Sequence, residues 1–165
     1  MATKKGIIIT IAILAAISVA SFVVWFLPQN HGPSVVVSDY KSELDSVKER
    51  QSLIATEIES SLKGLSDKSV SPDEFINKTQ VSSSQVTSLI TELIESNAPT
   101  QWQQSYGAYL ESLKKYNEYL TETITLANKM KSGISPSDIN DEMIKLDTLK
   151  KESDMRTTKS DQTRP

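Results

Sequence analysis

Cysteine is absent from this chain of 165 residues, and histidine occurs once. Without Cys there is no disulfide framework, no thiolate zinc or iron–sulfur site, and no cysteine nucleophile. One His, His31, excludes a multi-histidine metal centre, and no Asp or Glu stands at helical spacing from it to complete a smaller one. Glycine is scarce, at five residues, and neither glycine-rich phosphate-binding pattern is present. There is no basic excess either: 18 Lys and Arg face 21 Asp and Glu, a net charge of −3. Nucleic-acid binders usually carry a basic patch, so this class is disfavoured. No reaction is written in these residues. The sequence predicts no enzyme and no cofactor or metal, but it does specify an architecture and a class of role.

What is present begins with an apolar run. Residues 6–27 (GIIITIAILAAISVASFVVWFL) carry no charge over 22 positions. A helix of that length spans roughly 33 Å, enough for a hydrocarbon core of about 30 Å. Trp25 and Phe26 lie at its far end, where aromatic rings favour the membrane interface, and Pro28 ends it. Lys4 and Lys5 precede it, whereas the downstream flank mixes Lys41 with Asp39, Glu43 and Asp45. The positive-inside rule therefore predicts residues 1–5 as a cytoplasmic tail, 6–27 as a single transmembrane helix, 28–34 as a linker, and the remainder outside the cell membrane. Two other readings stay open. One is a cleaved signal peptide with Ser18-Val19-Ala20 as its small-residue site. The other is a pilin-like leader cut near Lys4-Lys5-Gly6, although Ile11 stands where bacterial type IV pilins carry Glu. Within the span, Ala12, Ala16 and Ala20 repeat every four residues. That spacing lets two membrane helices approach closely, so these three are the candidate helix-packing face.

Beyond the linker the apolar period becomes helical. Removing Lys4 and Lys5 leaves 16 basic residues against all 21 acidic ones, a charge of −5. Val37, Tyr40, Leu44, Val47, Gln51, Ile54, Ile58, Ser61 and Leu65 alternate steps of three and four, which predicts a helix over about 35–65. Ser71-Pro72-Asp73-Glu74 predicts a capped start for the second helix, with Glu74 closing a capping box and a bend at Gln80–Ser84. Asn97 or Ala98 then caps a third helix to about Lys131, with Trp102, Tyr106, Tyr109, Leu113, Tyr116, Leu120, Thr123, Ala127 and Met130 on its stripe and Gly133 as its stop. Ser135-Pro136 opens a fourth, to about Ser153, facing inward through Ile139, Met143, Leu146 and Leu149. Residues 154–165 carry almost nothing apolar and are expected to be a disordered tail. The expected fold is all-α: one transmembrane helix, then an antiparallel bundle of about four helices over 35–153. Tyr40, Leu44, Ser46, Lys48 and Ile58 match Tyr106, Leu110, Ser112, Lys114 and Ile124 at a constant offset, which suggests a duplicated helical hairpin.

Candidate contact residues are few. Tyr119 lies off the third helix's stripe and, with Trp102, is the candidate partner surface; the other tyrosines read as core. Asn77-Lys78-Thr79 is a glycosylation sequon, making Asn77 a possible acceptor. The acidic pairs Asp73/Glu74, Asp141/Glu142 and Glu118/Glu122 are spaced like solvated helix faces.

The opening KKGIIITIAILAAISVASFVVWFLPQN resembles small single-span exported proteins of ammonia-oxidising archaea. These have a short basic tail, an apolar span ending in Pro-Gln, and a polar exported domain. The resemblance covers about the first 30 residues and the general layout, and it carries no functional residues. The layout is also similar to the extracytoplasmic bundles of chemoreceptors, which return through a second span that this sequence does not show. The sequence therefore predicts a membrane-anchored protein-interaction or scaffold module whose partner is another membrane or exported protein, or a second copy. The alternatives are an accessory subunit of a membrane enzyme complex and a small-molecule sensor or carrier bundle.

Overall fold

The computed structural model describes residues 39–133 and 135–165. They form four helices, α1 (Tyr40–Ser66), α2 (Pro72–Glu95), α3 (Thr100–Lys131) and α4 (Pro136–Gln162), and no strand is present among them. The apolar run 6–27 with Ala12, Ala16 and Ala20, the flanking tail and linker, and His31 lie outside the described residues. Among the described residues, no helix is long and apolar enough to cross a membrane.

Each helix starts where local chemistry allows. Asp39 accepts from the Lys41 and Ser42 amides at 3.0 and 3.2 Å and caps α1. Ser71 accepts from the Glu74 amide at 3.2 Å, and Ser135 accepts from the Asp138 amide at the same distance. The second helices of the two hairpins thus share one start device, whereas their first helices do not. Only half of the capping box forms, because the Glu74 carboxylate pairs forward with Lys78 at 3.7 Å. α3 departs from expectation: its cap is Pro99, with no side-chain cap bond, while Asn97 sits in the left-handed region (φ 50°) as the chain leaves α2. Gly133 (φ +78°) ends α3 as predicted; a Cβ there would be strained by the backbone alone.

The helix is not interrupted at Gln80–Ser84: α2 is continuous from Pro72 to Glu95. Ser84, Thr87, Ser88 and Thr91 turn their hydroxyls onto carbonyls four residues back, so these poor helix formers find their partners within the helix.

Neighbouring helices run antiparallel, as cross-helix pairs show. Arg50 meets Glu92, Asp73 meets Lys131, and Ser83 meets Asn117. The core holds Leu44, Val47, Ile54 and Ile58 of α1, Val86, Leu89 and Leu93 of α2, and Tyr106, Tyr109, Leu113, Tyr116 and Leu120 of α3. A second cluster, Leu65, Phe75 and Ala127, closes the far end. α3 is the central helix and is buried on two sides: its predicted stripe faces α1 and α2, and a further row faces α4.

The expected disordered tail is corrected. Residues 154–162 continue α4, and the chain beyond them folds onto α1 through Arg164. The reason is a polar seam between α3 and α4, which hydropathy does not register.

Candidate functional site

The two flanks of α4 differ. Against α3 it packs with close backbone approach. Ser112 Oγ donates to the Ser153 carbonyl at 2.8 Å, Ser153 Oγ donates to the Ser112 carbonyl at 3.0 Å, and Thr157 Oγ1 lies 2.7 Å from Ser112 Oγ. One heptad earlier on α3, Ser105 Oγ donates to the Ser160 carbonyl at 2.8 Å. All four serines are buried. Small side chains permit the approach, and the hydroxyls satisfy themselves on the opposite backbone. The same seven-residue register carries Tyr119 to the level of Leu146, and Leu126 to that of Ile139, so the seam is polar at one end and apolar at the other.

Against α1, α4 makes no close backbone approach: no Cα of one lies within 8 Å of a Cα of the other. Long charged side chains bridge the gap. Lys48 reaches Asp161 at 2.6 Å, Arg164 reaches Asp45 at 2.7 Å and Asp161 at 2.8 Å, and Lys150 pairs with Glu59. Lys48 also stands over the Tyr109 ring, 5.0 Å from its centroid. Partial burial lowers the Lys48 pKa, and the Asp161 carboxylate opposes that shift. Between the helices lies an open groove of about 320 Å³, with Leu62, Tyr119, Met143 and Leu146 inside and Glu59, Lys63 and Lys150 at its rim.

The α3 tyrosines form a column beside this gap. Tyr106 Oη lies 2.7 Å from the Tyr40 carbonyl and 2.8 Å from Glu43, two acceptors for its one proton; burial, then the Glu43 bond, raises its pKa well above the ordinary tyrosine value. Burial likewise raises Tyr109, whose hydroxyl lies 3.5 Å from Gln51. Tyr116 and Tyr119 stack with centroids 5.4 Å apart. The Tyr116 hydroxyl is buried without a partner, and burial raises its pKa too. Tyr119 is pushed up to about 12, by burial first and the Glu59 charge second.

Sequence-predicted contact residues fare differently. Tyr119 is a correction: it is buried, 3% exposed, on the row of α3 that faces α4, and so offers no free partner surface. Trp102 is half-buried, edge-on to Tyr106 at 6.2 Å. Asn77 is exposed on α2, while the sequon's Thr79 is buried with its hydroxyl on the Phe75 carbonyl. Met143, expected to face inward, is 39% exposed at the groove. Sequence reasoning missed the row Ser105, Ser112, Tyr119 and Leu126. Its signal was the paired Ser-x6-Ser spacing, at 105 and 112 on α3 and again at 153 and 160 on α4. Among the described residues, no three His, Asp or Glu side chains gather as a metal site would require. No known protein family, curated protein or solved structure matches this chain.

Proposed function

We propose that the chain is a membrane-anchored, extracytoplasmic scaffold that acts by binding protein partners. The observation that carries this reading is the charge-free run of 22 residues placed directly ahead of a helical bundle. In this reading residues 6–27 span the cell membrane, the N-terminus is cytoplasmic, and the bundle stands outside. The structure of the bundle is consistent with such a role. Its most conspicuous polar groups, including Glu43, Lys48, Asp161 and the four seam serines, are engaged in holding helices together. Anchoring raises the local concentration of the bundle at the membrane face, so weak contacts suffice. Partners would be other membrane or exported proteins, or a second copy docked through Ala12, Ala16 and Ala20.

The α1–α4 groove favours a second reading, a sensor or carrier of a small amphipathic molecule, since about 320 Å³ is at the lower end of ligand-site volumes. The experiment that separates these readings, and the accessory-subunit alternative, is purification in mild detergent from native membranes with quantification of co-purifying chains. Comparing Ala16→Ile with the control Ile13→Leu then assigns the contact. Loss of partners in Ala16→Ile alone places recognition in the span. Retention in both variants, with loss on changing exposed bundle residues, supports the scaffold reading. A chain that purifies alone in every case contradicts it.

A further inference from the structure

The two halves of α4 are held by different forces. Up to Leu149 the helix contributes apolar side chains to the core, through Ile139, Leu146 and Leu149. After Leu149 it buries none: the only apolar residue left, Met155, is 63% exposed. The distal half rests on the Ser112–Ser153 and Ser105–Ser160 hydroxyl bonds and on the clasp that joins Lys48 and Asp45 of α1 to Asp161 and Arg164. Hydroxyl bonds exchanged against water contribute little net stability, and partly exposed ion pairs contribute less. Apolar burial is what normally offsets the ordering of backbone, and here it stops at mid-helix. Three buried polar atoms lack a partner: Arg164 Nε beyond the distal half, Tyr116 Oη near the level of Leu149, and Glu142 Oε2 on the proximal half. Asp154 of the distal half is among the charges acting on Tyr116.

We propose that α4 from about Ser153 to Gln162 is a detachable strap, which leaves α3 as a unit while the remaining helices stay folded and so uncovers Ser105 and Ser112. Segments with few buried apolar contacts open at low local free energy, and regulated contact surfaces are drawn from such segments. The uncovered row is narrow and carries free hydroxyls. Among the described residues its present cover is held by polar bonds, without buried apolar side chains from α4. Salt weakens the clasp and leaves the apolar core untouched, so ionic strength biases the strap toward release.

The test is hydrogen exchange read by mass spectrometry on the full chain in lipid nanodiscs. Amides 154–162 should exchange at least about 100-fold faster than amides 108–120 of α3, with a step near residue 150. Raising salt to about 0.5 M should speed 154–162 several-fold and leave 108–120 unchanged. Asp161→Asn, which removes the clasp carboxylate that α4 supplies, should do the same. Glu59→Gln, which removes the pair to Lys150 ahead of the strap, should not. Exchange of 154–162 within about threefold of 108–120, or salt and Asp161→Asn moving both together, would show one cooperative unit and overturn the proposal. A smooth gradient from residue 162 inward, with no step, would show end fraying and overturn it equally.

Discussion

Ser112 and Ser153 each donate a hydroxyl to the other's backbone carbonyl, at 2.8 and 3.0 Å, across the helix pair with the most extensive backbone contact among the described residues. The exchange is possible only because neither side chain extends past Cβ by more than one atom. It makes the seam sensitive to size more than to polarity. Ser112→Ala should cost about 1 kcal/mol, the net value of a neutral hydrogen bond. Ser112→Leu should cost more, about 1–3 kcal/mol or above, because the added carbons force α3 and α4 apart. Urea melts followed by circular dichroism would rank the two; equal costs would mean the seam tolerates separation.

Leu113, on the neighbouring face of α3, is fully buried in the core cluster with α1 and α2 residues. Leu113→Ala should cost about 2–5 kcal/mol through lost burial and the cavity left behind. A change within about 0.5 kcal/mol, the range of ordinary surface substitutions, would mean that the stripe does not form the core.

Two helical glycines should respond in opposite directions to the same substitution. A Cβ on Gly64 would meet Val70 Cγ2 at 2.6 Å, where the loop after α1 folds back onto the helix, so Gly64→Ala should destabilise by about 1–3 kcal/mol. A Cβ on Gly107 meets nothing within 4 Å, so Gly107→Ala should stabilise by about 0.4–1 kcal/mol through lower unfolded-chain entropy and better helix propensity. Thermal melts of the two variants beside the parent would check both signs.

Buried tyrosines make the fold sensitive to alkali. Tyr106, Tyr109, Tyr116 and Tyr119 all have pKa values raised in the folded state, Tyr119 to about 12. Above the unfolded value near 10, the unfolded chain loses protons that the folded chain keeps, so stability falls as pH rises through that point. Each such tyrosine adds about 1.4 kcal/mol per pH unit between its unfolded and folded pKa. Denaturation at stepped pH should show a decline beginning near pH 10, and tyrosinate absorbance should rise together with unfolding. Tyr119→Phe should lower the slope by one proton between pH 10 and about 12; an unchanged slope would mean that Tyr119 titrates normally.

Much of this architecture was legible before the structure. The α1 stripe from Leu44 to Leu65 repeats in steps of three and four, and all of its residues but the half-buried Gln51 are buried. Ser71 and Ser135 announced two helix starts because a hydroxyl before proline satisfies an orphan amide whatever the tertiary context. The distal half of α4 was not legible. Its inward residues, Ser153 and Ser160, are polar, and a search for apolar period passes over a seam that is satisfied by hydroxyls. Tyr119 was misplaced for a related reason. α3 is central, so a second row of side chains is buried behind the first, and a single-stripe reading puts that row in solvent. The groove between α1 and α4 depends on which two helices stay apart. That is a property of the closed bundle, with no counterpart in any one helix.

The central claim is that the bundle stands outside a membrane on an N-terminal anchor, and thiol accessibility tests it most directly. The native chain has no cysteine, so single replacements report cleanly. Ser52 is exposed on α1, and Ala2 precedes the apolar run. Ser52→Cys and Ala2→Cys would each be treated on intact cells with a membrane-impermeant maleimide, then again after lysis. The account predicts labelling of Ser52→Cys on intact cells and of Ala2→Cys only after lysis, with both remaining in the membrane fraction. Labelling of Ala2→Cys alone on intact cells would invert the orientation. Recovery of the bundle in the soluble fraction would contradict the anchor itself.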